Sequence, residues 1–245
     1  MHCLGRKAVK TDTRTLRLAK YLTPTLPSPP PAVDWTKGIT SFGEMLNNQI
    51  GDCTIAGLGH AIQIWSANTS TEVTLSDTII QSAYEDWCGY DPNDPDTDQG
   101  GIELDVLADW RKNGLGGHKL LAFADSSVAN LTEVRTAIDL FGGVYIGLNL
   151  PISAQTQEVW DDIDSKDEND NLAGSWGGHA VFVPAYDTSS FTCITWGTLK
   201  KMTTAFWLTY CDEAHALLSP DWIAQTEQPG RFDLATLQTD LALIH

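Results

Sequence analysis

The sequence lacks the cysteine pattern of a disulfide-stabilised or zinc-binding protein. Its five cysteines are an odd number in 245 residues, their spacing is irregular, and no CxxC pair occurs. Disulfide frameworks use paired cysteines in short secreted chains, and zinc sites use closely spaced ligands. We therefore expect reduced thiols, and the sequence implies no metal and no other cofactor. The cysteines are Cys3, Cys53, Cys88, Cys193 and Cys211.

Long apolar runs are also missing. No segment reaches the roughly 20 apolar residues that span a bilayer. Residues 1–22 hold no continuous apolar stretch of the kind that makes a secretory signal. We expect a soluble protein without membrane association, either cytoplasmic or part of a non-secreted assembly. A hydrophobic content of 42% with nine tryptophans suffices for a sizeable core, as one domain or two packed lobes.

Basic residues are scarce outside the N-terminus. Residues 1–20 hold six of the 15 basic side chains and one of the 32 acidic ones, so residues 21–245 carry nine basic against 31 acidic side chains. This acidic body would repel phosphates, which argues against nucleic-acid binding by the main domain. The basic arm can lie on its own acidic body or bind a protein partner, and we expect the first.

A proline-rich segment separates the arm from the rest of the chain. Residues 22–34 contain five prolines, which remove backbone donors and favour an extended path. We interpret residues 1–33 as a basic arm with a proline-rich spacer, and residues 34–245 as one folded domain.

Hydrophobic spacing divides that domain into two halves. Apolar residues recur at helical spacing in TIAGLGHAIQIW, LSDTIIQSAYEDW and IELDVLADWRKNG. Later runs of β-branched and aromatic residues are typical of strands: GGVYIGLNL, GHAVFVPAYD, FTCITWG and TTAFWLTY. The pattern predicts a helical lobe over about 34–130, a β-rich lobe over about 131–218, and a tail helix within 219–245. The apolar face expected to pack on the core consists of Leu234, Leu237, Leu241 and Ile244.

An acidic segment before the third helical run has offsets similar to a calcium-binding loop. In DPNDPDTDQGGIELD, however, Gln99 stands where such loops need glycine, and Pro95 interrupts the pattern. We expect a solvated acidic loop.

Cys53 stands where a thiol can become a nucleophile. In NNQIGDCTIAGLGHAI it follows a Gly-Asp pair and opens the first predicted helix. The helix dipole and the unpaired N–H groups of such a terminus stabilise thiolate, which is the nucleophilic form. The alternative interpretation is a small buried hydrophobic residue.

A nucleophilic cysteine needs a base, and His179 is the better of two candidates. His60 lies seven residues after Cys53, about 10 Å along the helix and beyond hydrogen-bond reach, so we expect it to pack. His179 follows two glycines at the start of a predicted strand in SWGGHAVFVPAYD. A working pair should lie within about 4 Å across an open groove.

Six segments together resemble the papain-like cysteine peptidases. They follow the family's order from about residue 33 to 210, and Cys53 and His179 are 126 residues apart, near the roughly 130 of this class. The resemblance implies an α+β papain-like fold, with a helical lobe, a β-rich lobe and an interlobe cleft. The segments are AVDWTKGIT, NNQIGDCTIAGLGHAI, TDQGGIELDVLADWRKNGL, GGVYIGLNL, HAVFVPAYD and ITWGT.

The same resemblance implies roles for individual residues. Cys53 corresponds to the nucleophile and His179 to the base that shares its proton. Asn47 stands at the position of the family's oxyanion-hole glutamine, and Gln49 is the fallback. The residues expected to line the substrate cleft are Gly100, Gly101 and Trp196.

Three features depart from the family pattern. IGDCTI replaces Cys-Gly-Ser-Cys-Trp and is reminiscent of papain-fold peptidases that trim bacteriocin leaders. In the family an asparagine orients the imidazole, and Ile194 occupies the corresponding position here. The hydroxyl of Thr195 is therefore the candidate orienting group. Residues 1–33 are too short to resemble the family's inhibitory propeptide, and we expect no zymogen.

The leading functional prediction is hydrolysis of a peptide or related amide bond through a thioester, with a peptide or protein as substrate. One alternative is a weakly active or inactive binding or structural protein on the same fold, anchored in an assembly by residues 1–33. The other is an acyl transferase, because an amine can capture the same thioester.

Overall fold

The computed structural model describes residues 2–23, 28–163, 167–223 and 232–243. The helices are α1 (Cys53–Thr69), α2 (Asp77–Cys88), α3 (Glu103–Asn113), α4 (Leu131–Phe141), α5 (Thr204–Tyr210), α6 (Pro220–Ile223) and α7 (Leu234–Leu243). The strands are β1 (Val33–Asp34), β2 (Ala122–Asp125), β3 (Val144–Leu150), β4 (Gly177–Tyr186), β5 (Ser190–Thr195), β6 (Thr198–Thr203) and β7 (Cys211–Leu218).

The strands form one antiparallel sheet in the order β2-β7-β3-β4-β5-β6, and β1 pairs with β4 outside that path. Strand β3 lies in the middle of this sheet, bonded to β4 on one side and to β7 on the other. Helices α1 to α3 precede most of the sheet in sequence, so the predicted α+β class is confirmed. The lobe boundaries themselves stay a prediction.

Helix α1 is the centre of the helical half. The spacing of its apolar residues predicts one buried stripe, but every residue from Cys53 to Ser66 is buried. A helix that is enclosed on all sides carries small residues where neighbours approach closely. At Gly57, for example, an added Cβ would lie 2.8 Å from the Tyr145 ring of β3. The helix therefore packs against the sheet with almost no space between them.

One predicted strand is a helix. TTAFWLTY forms α5, because Thr203 caps a helical turn there: its hydroxyl accepts a 3.1 Å hydrogen bond from the Phe206 nitrogen. N-caps of this kind favour helix over strand. The final strand of the sheet is instead β7, which follows α5 directly and has no typical strand pattern in the sequence.

The tail helix is present and packs on the core. Leu237 of α7 is fully buried in a cluster with Leu18 and Tyr21 of the arm. Leu234 packs against the same cluster. The side chain of Leu241 and the whole of Ile244 lie outside the described residues.

The basic arm lies on its own acidic body, which was the expected arrangement. Arg17 pairs with Asp125, and Lys20 with Asp240, both at 2.7 Å. Among the described residues, no helix is both long enough and apolar enough to cross a membrane.

Candidate active site

The candidate nucleophile lies at the start of α1, as the sequence predicts. Cys53 is the first residue of the helix, and the Asp52 carbonyl accepts hydrogen bonds from the nitrogens of Ile55 and Ala56 at 2.7 and 3.0 Å. The thiol accepts a 3.4 Å hydrogen bond from the Ala180 nitrogen in β4. Cys53 therefore sits where the first helix meets the sheet.

The imidazole of His179 is anchored through one nitrogen. His179 adjoins Ala180 in β4, and its Nε2 forms a 2.7 Å hydrogen bond with Thr195 Oγ1. Its Nδ1 has no hydrogen-bond partner among the residues that the structure describes, so the hydrogen bond expected between His179 and the Cys53 thiol is not formed in this state. Ile194 is buried in the hydrophobic core. The hydrogen bond expected of Thr195 is thus present, and it leaves the second ring nitrogen available.

Asn47 rather than Gln49 lies inside the site. Asn47 is 2% exposed, and its amide nitrogen has no hydrogen bond of ordinary geometry within the described chain. It approaches the carboxyl of Asp52, whose pKa is raised by burial and only partly lowered by the Asn47 amide. Gln49 is exposed. The turn before Asn47 holds Met45 and Leu46 at φ of 52° and 66°, a strained backbone that orients this loop.

The N-terminal arm runs between the two halves of the site. The nitrogen of Arg6 donates to the Gly178 carbonyl at 3.1 Å. On the other side, Gly101 accepts from the Lys7 nitrogen and donates to the Gly5 carbonyl, both at 2.8 Å. Gly101, predicted to pair with a substrate backbone, thus pairs with the chain's own arm. The expectation that residues 1–33 are unlike an inhibitory propeptide stays a prediction.

Glycines allow the arm to pass this closely. A Cβ on Gly5 would lie 1.7 Å from the Gly51 carbonyl oxygen, and one on Gly100 would lie 1.7 Å from the Gly5 carbonyl oxygen. The Gly5 backbone also hydrogen-bonds toward the Cys53 thiol. Glycine is required here because only hydrogen fits between the two backbones.

Aromatic rings cover the other end of the site. Trp196 stacks on His179 with ring centroids 4.5 Å apart, and His2 stacks on Trp196 at 4.1 Å. The Trp196 indole also donates a 3.3 Å hydrogen bond to the Cys3 carbonyl. Trp196, predicted to contact substrate, contacts the arm.

The covered pair is uncharged. Burial raises the pKa of the Cys53 thiol to about 12, and burial lowers the pKa of His179 to about 3. Cys53 is 1% exposed and His179 is fully buried. Two sequence expectations are therefore wrong for this state: the groove is not open, and the helix terminus does not yield a thiolate, since loss of hydration outweighs the helix dipole.

Arg6 anchors the arm in a pocket of carboxylates. Its Nε lies 2.8 Å from Glu213 Oε1 and 3.2 Å from Glu103 Oε1. Its Nη2 contacts Glu213 at 2.5 Å and also pairs with Asp212. The side chain is fully buried. In the sequence Arg6 is one of six basic residues in the first 20 positions, and no local pattern marks it as part of a site.

Asp98 is a second residue that sequence reasoning missed. Instead of lying free in the acidic loop, its carboxylate accepts the Gly51 N–H at 3.0 Å and the Tyr84 hydroxyl at 2.6 Å. That Tyr84 oxygen in turn accepts the Gly100 N–H at 2.8 Å. Asp98 therefore links Gly51 directly, and Gly100 through Tyr84, on the two sides of the arm near Cys53. The only sequence signal is its place directly before the Gln-Gly-Gly run.

Comparison with solved structures identifies the fold. The chain is similar to xylellain, a cysteine protease from Xylella fastidiosa, with a TM-score of 0.67 and 17% identity over 88% of this chain and 96% of that one. Procathepsin L 3 of Tenebrio molitor larval midgut gives a TM-score of 0.59 and 12% identity over 85% and 75%. The ragweed pollen cysteine protease Amb a 11, in its proform, gives 0.55 and 13% over 80% and 67%.

The chain therefore has a divergent papain-like fold, which confirms the resemblance seen in the sequence. No protein-family model matches the sequence, and no curated protein matches it significantly. At these identities the structural likeness extends to the fold, while the roles of individual residues rest on the geometry described above.

Proposed function

We propose that this protein is a cysteine-dependent hydrolase of peptide or related amide bonds, kept closed by its own N-terminal arm. The proposal is carried by the arrangement around His179. One ring nitrogen is hydrogen-bonded to Thr195, and the other has no partner among the described residues. The Cys53 thiol is hydrogen-bonded to the backbone nitrogen of Ala180, the residue after His179. A nucleophile, a base and a group that orients the base are the parts this chemistry needs.

In the open state, the Cys53 sulfur attacks the carbonyl carbon of the scissile bond while His179 holds the thiol proton. His179 then delivers that proton to the leaving amine, and a thioester remains on Cys53. Water attacks the thioester, gives its proton to His179, and the carboxylic acid leaves as the thiol re-forms. Thr195 keeps the imidazole oriented throughout.

Two donors would stabilise the oxyanion of each tetrahedral intermediate. The backbone N–H of Cys53 points out of the first turn of α1, where it has no helical partner. The Asn47 amide is buried near the carboxyl of Asp52, the residue before Cys53, without a hydrogen bond of ordinary geometry in the described chain. Loss of one such donor costs on the order of 100-fold in rate.

The arm would act as an intramolecular inhibitor. It occupies the backbone positions at Gly101 and Gly178 where a peptide would bind, and it excludes water from the pair. Displacement of the arm would return the thiol and the imidazole toward their solvated pKa values, so that proton transfer between them becomes favourable. Two of the similar structures, procathepsin L 3 and Amb a 11 in its proform, are also proforms.

The second candidate is an inactive protein on the same fold. The burial of Cys53 and the lack of an asparagine at Ile194 favour it. In that case the arm would be a permanent part of the core, and no condition would expose a reactive thiol.

A hydrolysis assay separates the two candidates. The full chain carrying Gly5→Ala, which should loosen the arm, is incubated with a casein digest, and new termini are identified by mass spectrometry. We expect cleavage by this variant, little by the wild type, and none by the Gly5→Ala/Cys53→Ala double variant. Cys193→Ala in the same background is the control, because Cys193 is buried in another core cluster. Equal product with and without Cys53 would refute the proposal, and an added amine recovered in the products would indicate acyl transfer.

A further inference from the structure

The pocket that holds Arg6 belongs to the folded body. Glu103 comes from the first turn of α3, and Asp212 and Glu213 come from β7. Strand β3 contributes Gly147, where an added Cβ would lie 2.2 Å from the Arg6 Nε. The guanidinium thus fills a space formed by the absence of a side chain at Gly147.

The buried carboxylates of this pocket depend on Arg6 for most of their polar contacts. Neither oxygen of Glu103 has a hydrogen bond within the described residues, although the side chain is fully buried. Glu213 is 7% exposed and relies on Arg6 and on His215, whose Nε2 lies 3.4 Å from its second oxygen. Asp125 pairs with the other nitrogen of His215 at 3.0 Å. Removal of Arg6 would leave Glu103, Asp212 and Glu213 without their guanidinium, with His215 beside Glu103 and Glu213.

The pocket opens directly onto the peptide path of the cleft. The backbone of Arg6 bonds to Gly178, the residue before His179, and its neighbours Gly5 and Lys7 bond to Gly101. A side chain that enters this pocket therefore belongs to a backbone lying across the candidate catalytic pair. The exposed Lys7 side chain, one position on, has no such pocket.

We infer that the Arg6 pocket is a substrate subsite that selects a basic side chain, arginine before lysine, once the arm is displaced. The inference rests on the proposed function for its catalytic meaning. An arginine would restore the contacts that Glu103, Asp212 and Glu213 make with Arg6, whereas an apolar side chain would leave buried carboxylates unpaired. Lysine would reach fewer of them, since its ammonium is a single point charge.

Binding can be measured without any catalysis. The probe is agmatine, which carries the arginine guanidinium, added at 1 mM to the full-length Arg6→Ala variant in a thermal-shift assay. We expect a rise in melting temperature of several degrees for Arg6→Ala and none for the wild type, whose pocket is filled. Lys7→Ala is the matched control and should behave as the wild type does. Arg6→Gln replaces Arg6→Ala if the latter does not fold.

The role of the carboxylates follows from two further measurements. Glu213→Gln in the Arg6→Ala background should weaken agmatine binding at least 10-fold, and isoamyl alcohol, an uncharged molecule of similar reach, should give no shift. Equal shifts with isoamyl alcohol, or binding that survives Glu213→Gln, would overturn the inference.

Substrate profiling then links the pocket to cleavage. Gly5→Ala protein digesting a peptide library should prefer Arg or Lys over Leu at least 10-fold at one fixed position from the cut, and Glu213→Gln should abolish that preference. Cleavage without a basic preference overturns the subsite and leaves the hydrolase standing. Agmatine binding without any cleavage supports the pocket and counts against the hydrolase.

Discussion

The backbone nitrogen of Arg6 lies 3.1 Å from the carbonyl oxygen of Gly178, the residue immediately before His179. This bond places the arm across the candidate catalytic pair, and the buried guanidinium of the same residue fixes it there. Arg6 therefore fixes the arm over Cys53 through ion pairs between its side chain and the buried carboxylates of the folded body.

Gly5→Ala should open the site. An alanine Cβ would lie 1.7 Å from the Gly51 carbonyl oxygen, so the arm must move away from Gly51. We expect iodoacetamide to modify Cys53 at least 10-fold faster than in the wild type at pH 6, read by mass spectrometry of the Cys53 peptide. Ala8→Gly, a change at an exposed arm position, is the control. Unchanged labelling of Gly5→Ala would mean that the arm does not govern access.

Thr195→Val should impair catalysis more than folding. The variant keeps the side-chain shape but removes the 2.7 Å hydrogen bond to His179 Nε2. In the Gly5→Ala background we expect kcat to fall about 10-fold or more, since misoriented bases lose part of their contribution, and the unfolding free energy to fall by about 1 kcal/mol. Thr192→Val, at a half-buried position of the same strand, should leave kcat intact. If both variants lose kcat equally, the orienting role is wrong.

Arg6→Ala should destabilise the fold far more than removal of exposed arm charges. Loss of Arg6 leaves buried carboxylates without their cation, a change that costs about 3–5 kcal/mol. Lys10→Ala breaks a pair whose side chains are 50% and 44% exposed, which contributes about 1 kcal/mol or less. Denaturant unfolding at 0.05 and 0.5 M NaCl measures both. The Arg6 effect should persist at high salt, and a loss that salt abolishes would place Arg6 among the screened surface charges.

Stability should decrease as the pH rises from 6.5 to 8.5. Burial by itself would lower the pKa of His215, but hydrogen bonds with Asp125 and Glu213 and the charge of Glu103 raise it to about 9. Because the folded-state pKa is above the unfolded value near 6.5, the stabilisation is complete below pH 6.5 and is lost as the pH rises through about 9. The expected loss by pH 8.5 is on the order of 2 kcal/mol.

Denaturant unfolding across that pH range tests the His215 contribution. His215→Gln should flatten the dependence, and His118→Gln, changed at a half-buried histidine paired with Asp221, is the matched control. A slope that His215→Gln leaves intact would place the titrating group elsewhere.

Much of the fold could be predicted from local patterns. Helical spacing identified α1, α2 and α3, and β-branched runs identified β3, β4 and β5. The failures have local causes as well: the Thr203 cap turns an aromatic run into α5, and β7 carries Asp212, Glu213 and His215, which are atypical of a buried strand. Those charged residues are tolerated because they face the Arg6 pocket.

The sequence by itself determined that Cys53 opens a helix, that His179 begins a strand and that Thr195 is the side chain able to replace the missing asparagine. These follow from short-range spacing and from the resemblance, and their catalytic roles remain predictions. The course of the arm was decided by the tertiary structure alone. Arg6 and Glu213 are 207 residues apart, and no local pattern links them. Only folding brings three acids around one guanidinium, and only the resulting burial makes the Cys53 thiol and the His179 imidazole a neutral pair.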